Sequence, residues 1–139
     1  IEIVEQRLLV EPGSFVLDIQ QAAPYFRQQG ALGFINSFVN NALPGMKHPI
    51  TGVFDVLELL YHTHPTQHQG LSLAVSHDTI LAAIVAVISG QNQIEKSDWP
   101  EMMEGLFVWF EGEDFSNSKL KWIWRGQKQE LVIKDFQNK

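Results

Sequence analysis

The chain has 139 residues, 45 % of them apolar, a formal net charge of −6 and no cysteine. A chain of this length builds a single core, so residues 1–139 are read as one domain. The acidic balance offers no general attraction for a phosphate backbone, which excludes nucleic acid as a partner class, and the lack of thiols excludes disulfides, zinc–thiolate sites and cysteine nucleophiles.

No apolar run approaches the roughly 20 residues of a membrane helix. No basic start followed by an apolar middle marks a signal peptide. The expectation is a cytoplasmic protein with no membrane partner. The chain starts at Ile1 rather than Met, which reads as a fragment or a processed product.

Taken in order, Ile1–Val4 is β-prone and Arg7–Val10 continues in that manner. Glu11-Pro12-Gly13-Ser14 is turn chemistry. Phe15–Ile19 is apolar and ambiguous. Pro24 suits a first helical position, because its missing N–H costs nothing there. A short helix is predicted from Pro24 to Gln29, stopped by Gly30. A second covers Leu32–Asn40, where Leu32, Ile35, Phe38 and Val39 recur at helical spacing, and Leu43-Pro44-Gly45 ends it. Ile50–His62 is the clearest amphipathic helix, with Ile50, Val53, Phe54, Leu57 and Leu60 on one stripe and Asp55 and Glu58 outside it. Thr63–Gly70 is a polar loop.

Leu71–Val75 reads as a short buried strand. Ile80–Ser89 is apolar almost all round and must be covered on most sides, with Gly90 as its stop. Helix, strand, helix in this order points to part of a βαβ arrangement around a parallel sheet. The tail differs. Gly105–Phe110, Lys119–Arg125 and Glu130–Ile133 read as three strands with antiparallel pairing, and Gly126–Gln129 is a hairpin-length link.

The sharpest feature is Leu73-Ala74-Val75-Ser76-His77-Asp78-Thr79-Ile80, a strand running directly into a helix. In open α/β sheets ligands bind beyond the carboxyl ends of the strands, and a helix start offers unpaired N–H groups and a positive dipole end. A histidine there can hold a phosphoryl oxygen, and a carboxylic acid can protonate a leaving oxygen. The competing structural reading is plain capping, since Ser, Thr and Asp are favoured at helix starts.

Other features weigh less. His62, His64 and His68 form a loop cluster with no carboxylate in it, and a solvated loop outweighs a metal site there. Trp122 and Trp124 share a strand face by alternation, and with Trp109 they read as core packing. The acidic loop Glu111, Glu113 and Asp114 lacks a regular calcium-ligand spacing. The pair Glu101 and Glu104 has no partner that marks an acid/base couple. No metal and no cofactor is expected.

Leu71–Gly90 resembles the second signature of the histidine phosphatase superfamily, an apolar strand, then His-Asp-Thr, then an alanine-rich helix. Asp98-Trp99-Pro100, followed by Gly105-Leu106-Phe107-Val108-Trp109-Phe110-Glu111, is similar to the strand after that helix in the acid-phosphatase branch. The resemblance covers about residues 50 to 111. It implies an α/β fold, part of a phosphoglycerate-mutase-like three-layer α/β/α domain, here with an antiparallel carboxyl-terminal extension. It implies hydrolysis of a phosphomonoester through phosphohistidine. His77 matches the second histidine of the phosphate pocket and Asp78 the proton donor to the leaving alcohol. Thr79 belongs to the motif and carries no assigned role.

The chain departs from the family pattern in two respects. The nucleophilic histidine belongs to an Arg-His-Gly motif, and no histidine here follows an arginine. The three arginines, Arg7, Arg27 and Arg125, lie in no recognisable motif. A phosphate dianion needs fixed positive charge, so the isolated chain is expected to be inactive. Two explanations stand: the carboxyl-terminal part of a longer phosphatase domain, or a phosphatase-like domain that serves binding without catalysis. An uncovered sheet face would also favour self-association.

Overall fold

Asp18 opens the first long helix. In the computed structural model, which describes residues 2–10, 14–63 and 70–139, its Oδ1 accepts the Gln20 backbone N–H at 3.0 Å. This side-chain contact satisfies one of the orphan donors of a helix start. α1 spans Ile19–Val39 and carries Pro24 within it, so the side-chain cap at Asp18, rather than the proline, sets the start. The break expected at Gly30 is present. Its φ of 72° and ψ of 175° are non-helical, which makes α1 two helical stretches joined at a kink. Glycine reaches that backbone region without a Cβ penalty.

The segment after α1 folds back on its beginning. The N–H groups of Leu17 and Asp18 both donate to the Gly45 carbonyl, at 2.7 and 2.9 Å, and the Lys47 N–H donates to the Phe15 carbonyl at 2.8 Å. A Cβ on Gly45 would lie 2.6 Å from the Asp18 carbonyl oxygen. No side chain fits that crossing.

α2 spans Pro49–Thr63 and buries Pro49, Gly52, Val53, Val56 and Leu57. Ile50, Phe54 and Leu60 of the expected stripe pack against the core from its edge. Asp55, off the stripe, pairs with Lys47 at 3.0 Å. α3 spans Asp78–Ile88 and buries Thr79, Ile80 and every residue from Ala82 to Ile88. It packs against both α1 and α2, and its alanines let the neighbouring backbones come close. Full burial of a Leu or Val side chain contributes about 1.5–3 kcal/mol, so this helix carries a large share of the core.

Three strands follow: β1 (Phe107–Glu111), β2 (Lys119–Trp124) and β3 (Gln127–Val132). They form one antiparallel sheet in the order β1-β2-β3. The β2–β3 turn is Arg125-Gly126, with φ of 50° and 77°. Two positive φ values in a two-residue link match the twist of the strands it joins, and they place the turn earlier than the expected Gly126–Gln129. Leu120 and Trp122 on the inner face are almost fully buried. On the outer face Lys121 reaches Glu111 at 2.8 Å and Glu130 at 3.8 Å. β3 runs into α4 (Ile133–Gln137), which buries Ile133 and Phe136.

Mixed α/β content is therefore present, but two expectations fail. No strand forms at residues 71–75, and Leu71, Leu73 and Val75 are 82, 85 and 77 % exposed rather than buried. The sheet among the described residues is antiparallel, with no parallel or βαβ pairing. The physical reason is shared. β1, β2 and β3 pair with one another, and no other strand among the described residues stands beside 71–75 to bond its backbone. Arg7–Leu9, in a β-prone stretch, forms a 3-10 turn. No helix of the described residues is long and apolar enough to cross a membrane.

Candidate functional site

The exposed stretch 70–76 delivers the chain to His77, whose φ of −113° and ψ of 157° are extended. His77 is the N-cap of α3. Its carbonyl accepts the Leu81 N–H at 3.0 Å, and its side chain makes no cap hydrogen bond. The imidazole is exposed. Ser76, one residue earlier, anchors the approach by donating its hydroxyl to the Leu9 carbonyl at 2.6 Å.

Asp78 is the first residue of α3 and is also exposed. Its Oδ1 accepts the Thr79 backbone N–H at 2.8 Å, and its Oδ2 accepts the indole Nε1–H of Trp99 at 3.0 Å. An acidic side chain in the first helical turn faces the positive end of the helix dipole. The carboxylate is thus held from two directions, one local and one from a distant part of the chain.

Trp99 is itself held. It follows the 3-10 turn Lys96–Asp98, closed by a reciprocal capping box between Glu95 and Asp98. Its carbonyl accepts from Arg125 Nη2 at 3.0 Å, and the Ser97 carbonyl accepts from Arg125 Nη1 at 2.7 Å. The same guanidinium grips Glu104 with two bonds, Nε to Oε2 at 2.7 Å and Nη2 to Oε1 at 2.9 Å, and lies over the Trp124 ring at 5.1 Å. The Arg125 contact holds the Glu104 carboxyl below its ordinary range, and Glu104 in turn raises Arg125. A chain of contacts therefore leads from the β2–β3 turn through Trp99 to Asp78.

Sequence reading found His77 and Asp78, and the structure sets them side by side at the start of one helix. It missed Trp99, Arg125 and Glu104 as parts of their surroundings. Glu101 and Glu104 were read as a pair with no partner to mark an acid/base couple, and the Arg125 contact of Glu104 went unseen because it lies 21 positions away along the chain. The only local signal was Trp-Pro after an acidic turn.

Two clefts lie nearby, and neither is lined by His77 or Asp78. One, of about 260 Å³, is walled by α1, by the Phe15–Val16 and Met46 segment, and by Thr79 and Ile80 of α3. The other, of about 270 Å³, lies between α3 and the β2–β3 hairpin, with Trp124, Arg125 and Asp98 on its walls. Of the three arginines, Arg125 is committed to Glu104, Ser97 and Trp99, Arg27 lines the first cleft, and Arg7 opens the 3-10 turn whose Leu9 carbonyl holds Ser76.

The remaining candidates resolve simply. Trp122 is buried in the core, while Trp109 lies on the outer sheet face under Lys128, 5.6 Å away. Asp114 accepts both the backbone and side-chain N–H groups of Asn117, which holds its carboxyl below the usual range. His62 ends α2 and is exposed, and His64 and His68 lie outside the described residues. Among the described residues no group of three or more His, Asp and Glu side chains is placed to hold a metal ion. Comparison with protein-family models, with curated proteins and with solved structures finds no match to this chain.

Proposed function

We propose that the chain is the carboxyl-terminal part of a histidine-phosphatase-like phosphomonoesterase, in which His77 holds the phosphoryl group and Asp78 protonates the leaving alcohol. The finer fold that goes with it is a phosphoglycerate-mutase-like three-layer α/β/α domain. The observation that carries the reading is the junction at residues 71–78. An alternating apolar segment ends on an accessible imidazole, followed at once by a carboxyl fixed at a helix start. Leu71, Leu73 and Val75 have the side-chain pattern of a strand, stand exposed, and have no strand paired beside them among the described residues. Added strands would bury them and would convert the exposed His77–Asp78 corner into the floor of a pocket. The phosphohistidine nucleophile and the pocket's arginines would come from those added strands, so the isolated chain should not turn over.

A titration tests the anion-binding half of this reading. Inorganic phosphate added to the chain should shift the His77 imidazole and the backbone N–H signals of Asp78 and Thr79 in nuclear magnetic resonance spectra. His77→Ala should remove the response. No response at these groups would take away the reading's support. Turnover of a chromogenic phosphomonoester that His77→Ala abolishes would overturn the claim that the nucleophile lies elsewhere.

A non-catalytic binding or interaction domain is the second reading. It is favoured by two of the three arginines, since Arg125 is engaged in structure and Arg27 lines an apolar cleft that His77 and Asp78 do not line. Genuine phosphate binding without turnover in any longer form of the polypeptide would select it.

A further inference from the structure

The cleft between α1 and the start of α3 has a composition that the phosphatase reading does not use. Its walls are Phe15, Val16, Ile19, Ala22, Phe26, Phe34, Ile35, Met46 and Ile80, with Ser14, Arg27 and Thr79 as polar members. Both halves of the kinked α1 contribute, so the bend at Gly30 shapes it. Ile19 and Phe26 at its mouth remain 49 and 41 % exposed.

One group in this wall is unfulfilled and another is an exposed cation at its rim. Thr79 is only 9 % exposed, and its Oγ1 has no hydrogen-bond partner among the described residues. Buried hydroxyls are nearly always bonded, and an exception calls for a missing partner. Ser14, by contrast, spends its hydroxyl on the Leu8 carbonyl. Arg27 makes no ion pair among the described residues, although the chain carries 16 acidic side chains against 10 basic ones. An apolar hollow with one free cation and one unpaired hydroxyl is complementary to an amphipathic anion bearing a second oxygen function. It is not complementary to a phosphate dianion, which one guanidinium in an apolar wall would hold poorly.

We propose that this cleft binds a hydroxy- or oxo-carboxylic acid with an apolar body of medium length. Its carboxylate pairs with Arg27, its body lies along Phe26, Phe34 and Ile80, and its second oxygen bonds the Thr79 hydroxyl once that side chain turns to the cleft, since its Oγ1 has almost no accessible surface as it stands. The volume falls just below the range of about 300–1,000 Å³ typical of drug-sized ligands, which fits a body of about ten carbons. The proposal stands apart from the His77–Asp78 reading and survives its failure.

The test uses the full chain with 10-hydroxydecanoate, decanoate and 1,10-decanediol as probes, followed by calorimetry and by amide shifts. 10-Hydroxydecanoate should bind one-to-one, with shifts at Phe26, Phe34 and Thr79, and about fivefold tighter than decanoate. Thr79→Val should erase that preference. Arg27→Gln, at an exposed position, should weaken both acids about tenfold and leave the diol unchanged. Absence of saturable binding, acids indifferent to Arg27→Gln, or shifts confined to residues 71–76 would each overturn the proposal.

Discussion

The indole N–H of Trp99 donates to Asp78 Oδ2 at 3.0 Å, tying the loop before the sheet to the first turn of the most buried helix. Asp78 thereby has one oxygen held by its own helix and the other by a residue that Arg125 positions. Trp99→Phe keeps the ring's packing and deletes the donor. It should destabilise the chain by about 1 kcal/mol, the usual net worth of one such bond. Asp78→Asn should cost a similar amount, and the double variant less than the sum. Urea unfolding of the four proteins checks this, and simple additivity would show that the two residues are not coupled.

The core prediction concerns Leu57, fully buried on α2. Leu57→Ala should lower stability by about 2–5 kcal/mol, from lost transfer energy plus the cavity left behind. Chemical denaturation gives the number. A loss well under 1 kcal/mol would mean that α2 is not packed as described.

Acid should loosen the β2–β3 turn. Arg125 holds Glu104 below its ordinary carboxylate range, and the direction of linkage follows from that. The stabilisation is present above the unfolded-state value and is lost as pH falls through the lowered folded-state value. Unfolding followed between pH 7 and pH 3 should therefore show falling stability on the acid side, with a smaller fall in Glu104→Gln. Glu111 and Asp114 are shifted the same way, by Lys121 and by Asn117, so part of the acid response should persist in that variant. An identical acid response with and without Glu104 would contradict the role of the Arg125 grip.

Self-association should follow from the exposed aliphatic side chains at 71, 73 and 75. Such a patch of exposed apolar side chains favours association between chains. Light scattering should show a mass that grows with concentration. Leu73→Lys should raise the concentration needed by about tenfold, the effect of leaving one large side chain in water. A constant monomer mass over a wide range would contradict it.

Much of the local architecture was legible because it is written in local chemistry. The stripe of α2, the all-round apolarity of α3, the interruption at Gly30 and the three terminal strands all follow from spacing, composition or glycine. The start of α1 was misplaced because Pro24 is a conspicuous signal, whereas the cap at Asp18 is a single side chain reaching two residues ahead. The burial of residues 71–75 was misread for a deeper reason. Their pattern states what they could cover, but burial is decided by which neighbours exist. Candidate-site legibility divided along the same line: His77 and Asp78 announce themselves by adjacency, whereas Trp99, Arg125 and Glu104 come together only through the folded path of the chain.

The abrupt change at His77 has a consequence for isotope labelling. The amides of Leu73, Ala74 and Val75 are unbonded among the described residues and open to solvent, and they should take up deuterium at nearly the intrinsic rate of a free peptide. A few positions later, Ala82 to Ile88 lie inside a covered helix and should retain their protons until most of the molecule opens. Few places in a chain put the fastest and slowest clocks so close together, and the step between them would mark where the ordered interior begins.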